Sequence, residues 1–393
     1  MKESVYQNKD NCCGCSACVN VCPRNAIKMV RDECGFEYPQ INGELCVNCS
    51  LCTKVCDFQN PKGSKNNILD VYAMQHKDKH VIKESSSGGA FTAISDWVLS
   101  QNGVVYGAVL DNDTFYVIHK RATVEEERNE MRGSKYVQSS TDGVFKQIKK
   151  DIAEQKQVLF SGTPCQCAGL VSYLKGHPDN LVIIDLLCHG APSPQTLVEH
   201  IKRIEKQTGK KVKSYKYRTK NHGYAHTHEA VFEDKTVMRN SDIQRILKLF
   251  TISMRPACFN CKYTNRNRYG DFTIGDMWDC AKLVGIADNR GTSVIFVNTE
   301  KGRNILNDIN KNCKLIPVEQ NKMKQQALRQ PVRKNQKSEI FWQDYKNNGY
   351  EFVFNKYAPA SLKSKLKYLY TKVMHYSRLV ILTEMIKKWR AKK

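Results

Sequence analysis

Cys12, Cys15, Cys18 and Cys22 stand at x2, x2 and x3 spacing with Pro23 directly behind them, and Cys46, Cys49, Cys52 and Cys56 repeat that spacing. A doubled run of this kind is a ligand set for two cubane iron–sulfur centres. The first three cysteines of each run wrap one centre, and the fourth crosses to the other. The expected pairing is therefore Cys12, Cys15, Cys18 and Cys56 around one 4Fe-4S cluster, with Cys46, Cys49, Cys52 and Cys22 around the second. Gly14 and Ser16 are small enough for the backbone to bend around a cluster, and Pro23 turns the chain away from it.

The spacing is that of two-cluster bacterial ferredoxins. Cys-x-x-Cys pairs also suit tetrahedral zinc, but zinc needs neither a third cysteine three residues on nor a doubled run. Cys13 and Cys34 fall outside the pattern and read as bystanders, and Asp57 stands where a second proline is common, touching no ligand. Seventeen cysteines without a basic-then-apolar leader at the N-terminus argue for thiols kept free for metals rather than a disulfide scaffold, and so for the cytoplasm. No apolar run is long enough to span a membrane. The formal charge is +23, yet residues 1–62 carry equal numbers of basic and acidic side chains, so the excess lies entirely beyond them. A basic surface suits nucleic acid, anionic lipid or an acidic redox partner, and charge alone does not choose.

Residues 60–67, NPKGSKNN, lack core-forming side chains and read as a linker. From residue 69 onward, strand-like apolar runs at 71–74, 104–110, 158–160, 181–187 and 294–297 alternate with helical patterns such as 90–99 and 197–204. The expected fold class is α/β: an α+β two-cluster module, then a larger mixed α/β domain with a largely buried sheet. The divisions expected are 1–60 for the module, 61–68 for the linker, 69–155 and 156–345 for two parts of the larger domain, and 346–393 for a basic tail.

Ser85, Ser86, Ser87, Gly88 and Gly89 run straight into a helical pattern, where amides and hydroxyls suit a phosphate, although such a stretch also serves simply as a cap. Taken in order with Gly133-Ser134-Lys135-Tyr136, Gly162-Thr163-Pro164-Cys165-Gln166, Cys188-His189-Gly190, Arg255-Pro256-Ala257-Cys258 with Cys261, and Gly275-Asp276-Met277-Trp278, it resembles the coenzyme F-420 hydrogenase/dehydrogenase beta-subunit family over roughly residues 70–320. The order of domains is similar to members with a fused ferredoxin module, and to a bacterial branch found with polysaccharide-synthesis enzymes. The resemblance implies an FAD- and iron–sulfur-dependent oxidoreductase. It would pass electrons from a ferredoxin or other redox protein to FAD and on to a small organic acceptor. Coenzyme F-420 oxidation or reduction, or electron relay without catalysis, are the alternatives. It further implies FAD contacts at Ser87, Gly88, Gly89, Ser134, Lys135, Tyr136, Asp276, Gly291, Thr292 and Ser293.

Cys165, Cys188, Cys258 and Cys261 lie in those motifs, and four is the number a third 4Fe-4S cluster needs. On the residues alone, buried structural cysteines are an equal reading. The resemblance favours a cluster, and leaves Cys167, Cys280 and Cys313 as ordinary side chains. Arg218, Lys220, His222, His226 and His228 form a polar stretch suited to an anionic acceptor, with Lys220 and His222 the candidate catalytic groups, against the commoner reading of a solvated loop. No motif supports nucleic-acid binding. Residues 362–393 hold ten Lys and Arg against the single acid Glu384, with Leu362, Leu366, Leu369, Val373, Tyr376 and Val380 at helical steps. Such a helix would pack on its own domain or lie peripherally on the inner face of an anionic membrane.

Overall fold

The computed structural model describes residues 4–62, 66–220, 227–286 and 290–360, with 366 and 369. In the N-terminal module a two-stranded antiparallel ribbon joins β1 (Ile27–Arg31) to β2 (Glu37–Ile41). The two cysteine runs fold alike. Gly14 and Asn48, at equivalent positions, both take the left-handed region (φ 70° and 55°), as do Ser16 and Ser50 (φ 59° and 61°). Each serine precedes a short helix, Ala17–Val21 or Leu51–Lys54. Glycine takes this conformation without penalty and asparagine tolerates it, so both runs curl into tight loops that gather their cysteines.

The larger domain is built on a nine-stranded mixed sheet formed by β3 (Asp70–His76), β4 (Val104–Leu110), β5 (Val117–Ala122), β6 (Ser139–Ser140), β7 (Val158–Gly162), β8 (Leu181–Leu186), β12 (Phe272–Asp276), β13 (Ser293–Val297) and β14 (Cys313–Pro317). Their order is β14-β3-β13-β12-β8-β7-β4-β5-β6. The centre, β4, β7, β8 and β12, is parallel. β9 (Val212–Lys216), β10 (Glu229–Phe232) and β11 (Val237–Met238) make a separate small sheet. Every strand expected from the apolar runs is present, and so are both expected helices, as Ala90–Leu99 and Pro194–Thr208.

Side-chain alternation on the central strands assigns each sheet face a different cover. Val104, Tyr106, Val158, Phe160, Leu181 and Ile183 point to one face, where they share a core with Ala17, Val55 and Phe58 of the N-terminal module. Val105, Leu159, Val182 and Ile184 point to the other, packed against the helix Ala90–Leu99 and against Ile305, Leu306 and Ile309. The module is thus part of the domain's own core. The link is tied down at Asn66, whose amide donates to the Arg268 carbonyl at 2.7 Å and whose carbonyl accepts in return. The tail boundary expected at 346 falls inside the helix Ser338–Tyr357, whose Tyr350, Val353 and Phe354 are buried. Apart from 366 and 369, residues 361–393 lie outside the described residues, as do His222 and His226. Among the described residues no helix is long and apolar enough to cross a membrane.

Candidate redox centres

The thiols of the module lie close enough to act on one another's charge. Cys18 is pushed well up by burial and then by Cys15, Cys12 and Cys56, with a last, smaller push from Cys52. Cys56 is raised by burial and by Cys15 and Cys12. Cys52, raised chiefly by burial, feels Cys49 and Cys46, and a cleft is lined jointly by Cys22, Cys46, Cys49 and Cys52. Cys56 thus lies near the first run and Cys22 beside the second, the arrangement that a crossover of the fourth ligand would need. Donors already point at the sulfurs: Ala26 N to Cys22 Sγ at 3.3 Å and Gln59 Nε2 to Cys56 Sγ at 3.4 Å. Crowded thiols that penalise one another's ionisation suit a cationic iron core that neutralises them.

The two centres differ in surroundings. Around the second, Val47 is 60% exposed, Leu45 and Leu51 are exposed, and so is Cys49 itself. The first is closed by the larger domain. Gln138 Nε2 donates to the Cys13 carbonyl at 2.8 Å, Thr141 Oγ1 to the Cys15 carbonyl at 3.0 Å, and Ser172 Oγ to the Val55 carbonyl at 2.7 Å. We refer to them as the outer and inner centres.

Cys165, Cys188, Cys258 and Cys261 also converge. Cys165 and Cys188 follow the carboxyl ends of the neighbouring parallel strands β7 and β8, the edge where α/β sheets place their sites. Thr163 caps the helix Pro164–Leu174, aided by Gln166, and so sets Cys165 in its first turn. Cys258 and Cys261 arrive on a loop held by Arg268, which is buried in an ion pair with Asp185 (Nη2 to Oδ1, 2.5 Å) and donates to the Tyr263 and Asn265 carbonyls. Burial and the neighbouring thiols push Cys258 up to about 12 and Cys261 to about 11. Cys188 rises further for the same reasons, feeling Cys258, Cys165 and Cys261. The four thiols are near enough to raise one another, and thiolate is the ligand type that an iron–sulfur cluster takes.

The inner centre and these four thiols meet at Cys13. Buried Cys13 shares one core with Cys15, Cys165 and Cys261. It lowers Cys165 to about 7 and also lowers Cys15. The bystander reading of Cys13 is corrected accordingly. Asp57 is likewise more than a neutral departure from pattern. It is buried and accepts from Tyr263 Oη at 2.9 Å and Tyr269 Oη at 3.0 Å, so it pins the module to the domain. Both roles need partners more than a hundred residues away, which no local spacing reveals. Cys167 and Cys313 are buried in the core, as expected of ordinary side chains.

The segments expected around a flavin gather at the ends of β3 and β13. Ser134 N donates to Ser86 Oγ at 2.6 Å, Gly88 N to Ser293 Oγ at 2.9 Å, Ser87 Oγ to the Thr292 carbonyl at 2.7 Å, and Gln75 Nε2 to the Gly291 carbonyl at 3.1 Å. The Gly88 amide is thus engaged within the protein, and a Cβ on Gly88 would collide with the Met74 carbonyl oxygen, so this glycine serves strand packing. Gly89, by contrast, takes φ +94° at the start of its helix. Lys135, pushed down to about 7 by burial, donates to the Glu130 and Arg132 carbonyls. Tyr136 stacks edge-on against Tyr217.

Open space and an unpaired buried guanidinium nitrogen lie beside them. Nothing stands within 4 Å of a Cβ built on Gly133, and Arg132 Nε is buried without a partner. Burial, then Arg128, depresses the Arg132 guanidinium, so a phosphate there would satisfy it. The residues fit a phosphate-bearing cofactor. Arg218 is buried and paired with Asp276 at 2.6 Å, and His228 is buried against Tyr215. Those two positions are therefore not a solvated loop. Lys220 donates to the Ile82 and Ser87 carbonyls, which ties it to the serine loop.

Comparison with known proteins agrees with this division. Residues 11–60 match the 4Fe-4S dicluster domain, and residues 155–321 match the family described as the C terminus of the coenzyme F420 hydrogenase/dehydrogenase beta subunit. An uncharacterized protein of Methanocaldococcus jannaschii is 29% identical over 214 residues, covering 46% of this chain. The match spans 57% of that relative's length. A chain of the F420-reducing NiFe hydrogenase complex from Methanosarcina barkeri is 18% identical, with a TM-score of 0.47 over 74% of this chain and 91% of that one.

Proposed function

We propose that this chain, which joins a 4Fe-4S dicluster domain to the C-terminal domain of the coenzyme F420 hydrogenase/dehydrogenase beta-subunit family, is an iron–sulfur flavoprotein oxidoreductase. It takes electrons from a ferredoxin-type donor and delivers them to a small organic substrate. The observation that carries this reading is the shared core in which Cys13, Cys15, Cys18 and Cys56 of the module pack together with Cys165 and Cys261 of the larger domain. When bound, 4Fe-4S centres exchange single electrons, and a flavin exchanges one or two, which allows hydride chemistry.

In this reading Cys12, Cys15, Cys18 and Cys56 hold the inner cluster, Cys46, Cys49, Cys52 and Cys22 the outer, and Cys165, Cys188, Cys258 and Cys261 a third. Ser87, Gly89, Ser134, Lys135, Tyr136 and Thr292 would hold a flavin, and Arg132 would pair with its phosphates. The exposed Val47 and Leu45 beside Cys49 offer a donor protein an apolar landing next to the outer ligands. Surface-polysaccharide precursors are the acceptor class suggested by the resemblance. Coenzyme F-420 is the acceptor suggested by the family's description.

Anaerobic purification followed by iron, zinc and flavin analysis tests the cofactors. The expected content is about twelve irons and about one FAD per chain. Iron near eight with Cys258 and Cys261 open to alkylation removes the third cluster, and a colourless zinc protein removes the whole reading. Reduction by ferredoxin, then mixing with a deazaflavin or a sugar nucleotide, separates the acceptors.

A further inference from the structure

Arg255 is 1% exposed and lies across the inner centre. Its Nε donates to the Cys12 carbonyl at 2.8 Å, Nη1 to Gln138 Oε1 at 2.7 Å and Nη2 to the Glu37 carbonyl at 2.9 Å, with Cys12 Sγ 3.8 Å from Nη2. The guanidinium sits over the Tyr38 ring, 4.3 Å from its centroid. The loop is shaped to receive it: a Cβ on Gly14 would come within 2.8 Å of Arg255 Nη1. Among the described residues no carboxylate lies within ion-pair distance of this side chain. A buried cation is costly unless an opposite charge balances it. The groups that favour its charged form are Cys12, Tyr38, Cys13 and Cys258, so what faces it is sulfur and phenol.

We propose that Arg255 tunes the inner cluster, raising its reduction potential so that it is a better electron acceptor than the outer one. Reduction adds a negative charge beside a fixed positive one in a buried site, and hydrogen bonds and charge near the sulfurs set cluster potentials. Solvent at the outer cluster acts in the opposite sense, because water also stabilises the added charge there. The guanidinium outweighs it because burial leaves the attraction little screened. This proposal rests on the reading of Cys12, Cys15, Cys18 and Cys56 as ligands of a 4Fe-4S cluster.

The test is an anaerobic redox titration of the full chain followed by electron paramagnetic resonance, comparing the native protein with Arg255→Lys and Arg255→Gln. The inner-cluster wave is identified as the one lost in Cys18→Ser. In Arg255→Gln that wave moves to lower potential, lowering its reduction equilibrium by about tenfold or more. The outer-cluster wave holds, and Arg255→Lys retains most of the native value. An unmoved inner wave in Arg255→Gln overturns the proposal, as does an equal shift in Lys and Gln. Loss of inner-cluster iron in both variants also overturns it, by assigning the guanidinium to assembly alone. Absence of any wave sensitive to Cys18→Ser in the native protein instead overturns the ligand assignment.

Discussion

Gly169 faces the sulfur of Cys15 so closely that a Cβ at position 169 would come within 2.8 Å of that Sγ. The helix Pro164–Leu174 begins with the Cys165 turn and four residues later presses a bare backbone against the inner centre.

Two effects compete in Gly169→Ala, and they have opposite signs. Alanine in a helix interior is favoured over glycine by about 1 kcal/mol, which alone would stabilise the protein. A collision with a ligand sulfur instead displaces Cys15. We expect the second to dominate, with the purified variant losing about four irons per chain. A fully loaded, more heat-stable variant would show that the helix yields.

Cys165→Ser and Cys258→Ser are expected to leave the ferredoxin-type clusters reducible while preventing their electrons from reaching bound flavin. Rapid mixing with a reduced ferredoxin, watching flavin absorbance, checks this. Native flavin reduction rates in either variant would show that the four thiols are not on the route.

Two buried histidines predict a loss of stability in weak acid. Burial lowers His119, whose Nε2 lies 3.0 Å from the Ser161 carbonyl, to about 4, and lowers His200 to about 3. Both pKa values fall below the unfolded value, so the unfolded chain binds protons first as pH drops. Stability is fully present above about pH 6.5 and is lost as pH falls toward 4, by about 3 kcal/mol for His119 alone. In urea titrations between pH 7 and 4.5, the double variant His119→Gln, His200→Phe should lose correspondingly less. Parallel pH slopes in the two proteins would contradict this.

Much of the inner architecture was legible because it is local. Cysteine spacing suggested the ligand groups proposed above, and apolar runs placed β4, β7, β8 and β13 and the helix Ala90–Leu99, since continuous burial leaves a continuous apolar signature. The contacts at Cys13, Asp57 and Arg255 were not legible. Each depends on a partner from a distant segment, such as Tyr263 for Asp57, and a lone cysteine, aspartate or arginine carries no periodic signal. Gly88 misled for a related reason. A glycine that lets a cofactor approach and one that lets a neighbouring strand approach look identical in sequence.

The buried pair of Arg268 and Asp185 supports the loop carrying Cys258 and Cys261. Removing one partner strands the other charge, so Arg268→Met is expected to cost about 3–5 kcal/mol. Asp185→Asn combined with Arg268→Met should cost less than Arg268→Met alone, because no naked carboxylate remains. Thermal unfolding of the three proteins checks the order.

For the basic tail we propose peripheral attachment to anionic lipid, each cation near the surface contributing on the order of 1 kcal/mol. Co-sedimentation with phosphatidylserine vesicles should be lost at high salt and in a chain ending at Ser361. Equal binding by the truncated chain would exclude the tail.

Sharing one core between Ala17, Val55 and Phe58 and the sheet has a mechanical consequence. Many redox proteins carry electrons on a tethered domain that swings between donor and acceptor. Here such a swing would open a closed apolar interior and release the clamps at Cys13, Cys15 and Val55, so the module is held in one place against the sheet.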